Sequence, residues 1–182
     1  MSKKNDYEKV SKFLSFVLRH KPEAINLTLD PNGWASVAEL IQKSQPKFEL
    51  TTELIKQVVI TNEKKRFSFS DDENFIRANQ GHSIDVDLKL SPKEPPEILY
   101  HGTATRFLDS IKQQGLKAGQ RQHVHLSSNL ETANAVGKRY GRPVILEVAA
   151  GTMYQKGHEF FLSANGVWLT EYVPNKFFMV IN

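Results

Sequence analysis

The stretch Ser11-Lys12-Phe13-Leu14-Ser15-Phe16-Val17-Leu18-Arg19-His20-Lys21-Pro22 runs an apolar helix into three basic side chains and a proline. Together with Val10, the residues Phe13, Leu14 and Val17 fall at i, i+3, i+4 and i+7, which is one face of an α-helix. The residue before a proline is pushed out of the α region, so the helix is expected to end near His20 or Lys21. Arg19 and His20 then stand at a helix C-terminus, where the dipole favours positive charge. Two readings are open at this point. One is basic capping of a core helix, which is common in a last turn. The other is a rigidly held anion clamp.

Downstream, Asp30-Pro31-Asn32-Gly33 is a turn signal, and Trp34 is expected to plug a small core. Ser36 with Glu39 makes a capping-box pattern, so a second helix starts at Val37 and breaks at Gln45-Pro46. Thr51 or Thr52 caps a third helix, with Leu54, Ile55, Val58 and Val59 inward. The period then changes from 3.6 to 2. Arg66-Phe67-Ser68-Phe69-Ser70 alternates, Asp71-Asp72-Glu73-Asn74 turns, and Phe75-Ile76-Arg77-Ala78 returns. Three helices closed by a hairpin is the pattern of a winged helix, expected over residues 1–90.

Residues 80–97 change character: a polar Gln80-Gly81-His82-Ser83, a short strand expected over 84–90, then Ser91-Pro92-Lys93-Glu94-Pro95-Pro96-Glu97. Closely spaced prolines make a stiff, extended spacer, so a linker is expected at 91–97. Residues 98–182 read as a second domain rich in short strands, at 98–101, 123–127, 144–148, 166–170 and 177–180. Helices are expected over 106–114, with Gly115 just past the end, and over 130–140. The fold class is α+β, with a split or two-sheet core in the second domain.

At 182 residues the chain suits one large or two small domains. No apolar run approaches the 18 residues of a membrane span. The N-terminal Met1-Ser2-Lys3-Lys4-Asn5-Asp6 is polar, unlike a signal peptide. The absence of cysteine excludes disulfides, thiol catalysis and cysteine zinc sites, and it fits a cytoplasmic protein. Residues 1–94 carry 15 Lys and Arg against 14 Asp and Glu, and residues 95–182 carry 9 against 6. Neither half is a basic block, so a nucleic-acid partner would meet a local cationic site.

There is no G-x-G-x-x-G, no P-loop and no H-E-x-x-H. His101, His123 and His125 lack a carboxylate or cysteine to complete a metal shell, so no metal is expected. What recurs is a cation at an element end: Arg19-His20 closing a helix, Lys64-Lys65-Arg66 opening a strand, and Arg121 just before His123 and His125. Arginine matches a phosphate dianion with two parallel charge-assisted bonds, although each cation alone also reads as a solvated surface charge. Tyr100-His101-Gly102-Thr103 is either a strand entering a turn or a nucleotide pocket, where glycine permits close backbone approach and His101 and Thr103 offer polar groups to a ribose. Asn165-Gly166-Val167-Trp168 reads as a turn and a core strand.

Taken in order, Ser11 through His20, Lys65-Arg66-Phe67-Ser68-Phe69, Leu99-Tyr100-His101-Gly102-Thr103, His123-Val124-His125-Leu126-Ser127 and Asn165-Gly166-Val167-Trp168-Leu169-Thr170 resemble the RNA (tRNA) 2′-phosphotransferases, whose bacterial members are the KptA type. The resemblance spans about residues 8–178. It implies a winged-helix-like RNA lobe and an ADP-ribosyltransferase-like lobe that holds NAD+, in a cytoplasmic, monomeric enzyme of tRNA splicing or RNA repair. It also implies a two-step reaction. An internal RNA 2′-monophosphate attacks C1″ of NAD+ and expels nicotinamide, giving an RNA-2′-phospho-ADP-ribose adduct. The ribose 2″-OH then attacks phosphorus, releasing 2′-OH RNA and ADP-ribose 1″,2″-cyclic phosphate without a metal.

The family's catalytic quartet falls on Arg19, His20, Arg66 and Arg121. Its NAD+ contacts fall on His101, Gly102 and Thr103, with His125 and Ser127 on the next strand and Asn165, Gly166 and Val167 beyond. Val167 stands where related ADP-ribosyltransferases carry a glutamate. That departure fits an enzyme that later uses the ribose hydroxyl as a nucleophile. An ADP-ribosyltransferase capping nucleic-acid 5′-phosphate ends and a non-catalytic RNA-binding module are the alternatives.

Overall fold

The computed structural model of the chain describes residues 3–181, with side chains described from Asp6 onward. Met1 and Ser2 of the polar N-terminal stretch, and Asn182, lie outside the described residues. The chain divides into two compact units between Lys89 and Leu90.

In the first unit, helix α1 (Lys3–Arg19) buries Val10, Leu14, Val17 and Leu18, so the apolar period read from the sequence is its core face. A 3-10 turn, Pro22–Ile25, follows the break at proline. Helix α2 (Val37–Ser44) starts where Ser36 Oγ accepts the Glu39 N–H at 3.3 Å. The Glu39 carboxylate pairs with Lys43 one turn on. Helix α3 (Thr52–Thr61) is capped by Thr51 Oγ1, which accepts the Leu54 N–H at 3.1 Å. Strands β1 (Ala35–Ser36), β2 (Phe67–Phe69) and β3 (Phe75–Ala78) form an antiparallel sheet with β3 in the middle. Phe67 faces Ala78 across the hairpin. One core cluster joins α1 to Leu40, Ile55, Val58, Phe67 and Ile76.

Strand β1, too short to show a period, has no counterpart in the sequence reading. Two sequence expectations change here. Residues 84–90 form no strand; the segment is held on the Asp30–Gly33 turn by Asp87 N–H to Pro31 O and by Asn32 Nδ2 to Asp87 O. Trp34 is only half-buried, and it carries the Arg77 guanidinium over its ring at 4.5 Å. The indole serves as a cation–π platform where a core plug was expected.

The second unit is built from β4 (Leu99–Ala104), α4 (Leu108–Gln114), β5 (Leu116–Lys117), β6 (Val124–Leu126), α5 (Leu130–Gly137), β7 (Pro143–Val148), α6 (Ala150–Gln155), β8 (Phe161–Leu162), β9 (Trp168–Thr170), β10 (Tyr172–Val173) and β11 (Phe178–Ile181). Two three-stranded antiparallel sheets, ordered β11-β7-β4 and β6-β9-β8, carry the core, and β5 pairs with β10. A two-way backbone bridge between Tyr100 and Ser127 ties β4 to β6. The mixed α+β class and the two-sheet core follow the sequence reading. Helix α6, six residues with a glycine and no apolar period, did not announce itself. Helix α5 stops at Gly137, and 138–140 tighten into a 3-10 turn. The proline-rich stretch is anchored in this unit: Pro92 bridges Phe161, Lys93 N–H donates to Phe160 O, and Glu97 O accepts from Gly151 N–H.

Candidate functional site

Arg19 occupies the last turn of α1, and its side chain is buried. Its guanidinium lies 5.9 Å from the Phe67 ring centre and makes a long 3.5 Å contact from Nη2 to Arg66 O. A cation this buried is costly unless it is partnered. The fold therefore invests in placing it beside the Arg66 backbone. His20, one residue past the helix, keeps partial exposure, and its Nδ1 lies 2.9 Å from Ser83 Oγ. Ser83 N–H also donates to Arg19 O at 2.9 Å. One serine therefore holds both the end of the helix and the imidazole behind it.

Arg66 is presented by a second device. Asn62, which closes α3, accepts the Arg66 N–H through Oδ1 at 3.4 Å and donates from Nδ2 to Ser11 Oγ at 3.0 Å. Buried Asn79 completes it: its N–H donates to Arg66 O at 2.9 Å, its Nδ2 to Lys65 O at 2.7 Å, and its Oδ1 accepts from Ser68 Oγ. His20 and Arg66 then line one groove of about 270 Å³ together with Glu8, Ser11, Lys12, Ser15 and Phe16.

Behind this end of α1 sits His82, fully buried, with neither ring nitrogen hydrogen-bonded. Burial, reinforced by Arg19, His20 and Arg77, pushes its pKa down to about 4, so it is neutral near pH 7. A neutral ring can pack among these cations without adding a repulsive charge.

In the second unit, His101 on β4 has Nδ1 at 2.9 Å from His125 O. A carbonyl only accepts, so Nδ1 carries the proton, and Nε2 is left as an acceptor. Burial lowers the His101 pKa, the bond to His125 O opposes that, and the Arg121 charge adds to the lowering. Arg121 is exposed, and its Nη1 donates to His125 Nδ1 at 2.6 Å. His125 thus takes His101 through its backbone and Arg121 through its ring. Ser127 Oγ caps its own turn, donating to Asn129 O and accepting the Asn129 N–H, both at 3.0 Å. Asn129 in turn caps α5.

Gly102 is buried where α5 crosses β4: a Cβ there would lie 1.7 Å from Ala133 O. The close approach that its glycine permits is therefore filled by the protein's own helix. Thr103 beside it is buried as well. Asn165, Gly166 and Val167 form the β8–β9 turn. Ser163 Oγ closes that turn by donating to Asn165 Oδ1 at 2.8 Å and accepting the Val167 N–H at 3.0 Å, and Gly166 has φ +77°. Val167 therefore sits in the turn, one residue before β9.

The structure brings His20 and Arg66 together at one groove, with Arg19 behind them. It also brings Arg121, His101 and His125 together. Asn62, Asn79, His82 and Ser83 escaped the sequence reading. His82 and Ser83 lie in the polar run Gln80-Gly81-His82-Ser83 that opens the stretch leading to the linker, and Asn79 directly precedes it; the only sequence signal is a histidine and an asparagine in a segment with no period of its own.

Residues 5–172 match the model of the family described as RNA 2′-phosphotransferase, Tpt1 / KptA. A protein named "Probable RNA 2′-phosphotransferase" from Acaryochloris marina is 56% identical over 173 residues, covering 94% of this chain and 96% of the relative. A protein of the same name from Flavobacterium johnsoniae is 55% identical over 95% of this chain and 96% of its own length, and one from Hahella chejuensis is 51% identical over 94% and 93%. The fold and site thus stand within a class of transferases. The chain belongs to the RNA 2′-phosphotransferase, Tpt1 / KptA family. Among the described residues no helix is long and apolar enough to cross a membrane.

Proposed function

We propose that this protein is an NAD+-dependent RNA 2′-phosphotransferase, its first unit an RNA-binding winged helix and its second an ADP-ribosyltransferase-like NAD+ lobe. The observation that carries the reading is the shared groove of His20 and Arg66, each fixed by hydrogen bonds from distant segments, in a chain of this family. Arg19 and Arg66 of the first unit hold the dianionic 2′-phosphate and neutralise the charge that builds on phosphorus, and Arg121 of the second unit is the remaining arginine of the catalytic set. His20 moves the proton between the 2″-OH and the departing RNA 2′-oxygen, a task suited to an imidazole that can act as both general base and general acid.

The second unit's residues fit NAD+ as the co-substrate. His101, neutral and with an accepting Nε2, suits a ribose hydroxyl. The 165–167 turn bears no carboxylate that would hold the 2″-OH back. NAD+ supplies the electrophilic C1″ that takes the phosphate and the 2″-OH that releases it. Nicotinamide leaves in the first step. The second step breaks the bond from phosphorus to the RNA 2′-oxygen and leaves ADP-ribose 1″,2″-cyclic phosphate.

The test is incubation with a 2′-phosphorylated RNA and NAD+. Loss of the 2′-phosphate with equimolar nicotinamide is expected, and an intact 2′-phosphate with folded protein would overturn the proposal. Arg66→Ala is expected to slow turnover by about 10²–10³-fold, the cost of losing one charge-stabilising donor. The RNA-2′-phospho-ADP-ribose adduct should accumulate on a denaturing gel, because charge gathers on phosphorus in the second step.

A further inference from the structure

Phe16 stands off the buried stripe of α1: Phe13, Leu14, Val17 and Leu18 are inside, whereas Phe16 is 43% exposed. Single exposed apolar residues are common on protein surfaces. This one differs in where it lies. It lines the groove shared by His20 and Arg66, with Lys12 one turn before it and His20 one turn after. Residues four apart on a helix stand about 5–6 Å apart at Cβ. In a nucleotide, the base and a 2′-phosphate leave adjacent carbons of one ribose, so a phosphate held at His20 and Arg66 brings its own base within reach of the residue one turn back.

We propose that Phe16 is the stacking platform for the base of the 2′-phosphorylated nucleotide, and that Lys12 meets the backbone phosphate beside it. This rests on the transferase reading and adds to it a base subsite. The chemistry of the groove fits a single-stranded RNA segment. An aromatic face takes any base without regard to sequence, and a lysine beside it tracks the backbone. Ser15 also lines the groove and adds a hydroxyl to it. Glu8 is the one carboxylate among the lining residues, and it pairs with Lys12 at 2.8 Å. Both side chains are largely exposed, so this pair is weak and an RNA phosphate can displace it.

The test compares wild type with Phe16→Ala, Phe16→Leu and Phe16→Trp on two substrates: a 2′-phosphorylated oligoribonucleotide, and the same oligomer with an abasic ribose at the phosphorylated position. Phe16 is exposed, so the variants are expected to fold, which circular dichroism checks. On the intact RNA, Phe16→Ala and Phe16→Leu should raise KM about tenfold, the scale of one base–aromatic stack, while Phe16→Trp should not. The KM for NAD+ should not move. On the abasic substrate, wild type should lose the same factor and Phe16→Ala should lose nothing more. An unchanged KM for RNA in Phe16→Ala, or equal losses for the variant on both substrates, would overturn the subsite while leaving the transferase reading standing. Failure of wild type to turn over the intact RNA would sink both.

Discussion

The two units hold their candidate site residues in different ways. In the first, Arg19, His20 and Arg66 stand at the ends of elements, and residues outside those elements fix them: Asn62 four residues before Arg66, and Asn79 and Ser83 from farther along the chain. In the second, His101 and His125 stand inside strands, and the Tyr100–Ser127 bridge and sheet register fix them. A side chain at an element end can be moved by removing one hydrogen bond. A side chain in mid-strand moves only if the sheet does. Substitutions near the first site should therefore separate activity from stability, and those near the second should not.

The largest expected effect is Gly102→Ala. The added methyl would meet Ala133 O at 1.7 Å and Gly137 N at 2.9 Å, both backbone atoms of α5. Neither can rotate away, so the helix must lift from β4. The cost is expected to exceed about 3 kcal/mol, beyond the usual range for overpacking. Urea denaturation should show the second unit unfolding early while the α1 amides keep their protection from hydrogen exchange. Equal loss of protection in both units would break the comparison.

Next comes His82, which tests whether the first unit tolerates a charge behind its cations. Its pKa is about 4 in the folded chain, below the ordinary 6.5. Between those values the unfolded chain binds more protons than the folded one, so stability falls as pH drops from 6.5 toward 4 and levels off below it. The full loss is at most about 3 kcal/mol at 1.36 kcal/mol per pH unit. Hydrogen exchange of α1 measured across this range should show that slope, and His82→Leu should flatten it. A slope that persists in the variant would assign the proton uptake elsewhere.

Asn79→Ala empties a buried position and removes two part-buried hydrogen bonds, the one donated to Lys65 O and the one accepted from Ser68 Oγ. About 2 kcal/mol of stability should be lost. The turn that aims Arg66 loosens at the same time. Thermal unfolding measures the first effect. Accumulation of the RNA-2′-phospho-ADP-ribose adduct, as for Arg66→Ala, measures the second.

Much of this was legible from residues alone. The helices of the first unit showed through the spacing of Val10, Phe13, Leu14 and Val17 and through the caps Ser36 and Thr51, because local side chains set local hydrogen bonds. The hairpin showed through its alternation. Strand β1 did not, since two residues have no period, and neither did α6, which has no apolar stripe. The candidate cations were visible as a pattern of charges at element ends. Their buttresses were not: Asn79 and Ser83 act across 14 and 63 residues, on Lys65 and His20 respectively. Contacts at that separation leave no trace in local composition. Gly102 was read as room for a ligand, whereas its immediate neighbour is the backbone of α5.

The smallest expected effect is the most telling for the comparison. Ser83→Ala removes only the hydroxyl at 2.9 Å from His20 Nδ1, while the bond from Ser83 N–H to Arg19 O survives and the helix end stays in place. Ser83 is exposed, so stability should change by less than about 1 kcal/mol. If His20 transfers the proton, the loss should fall on kcat, by several-fold, with little change in the KM for RNA. The limb of the pH–rate profile set by the imidazole should also move, because the group that biases its tautomer and basicity is gone. Ser83→Thr, which restores a hydroxyl at the same place, should recover both. A purely structural serine would leave the pH profile where it was. In that case His20 would need no buttress beyond the helix end, and the contrast between the two units would rest on Asn62 and Asn79 alone.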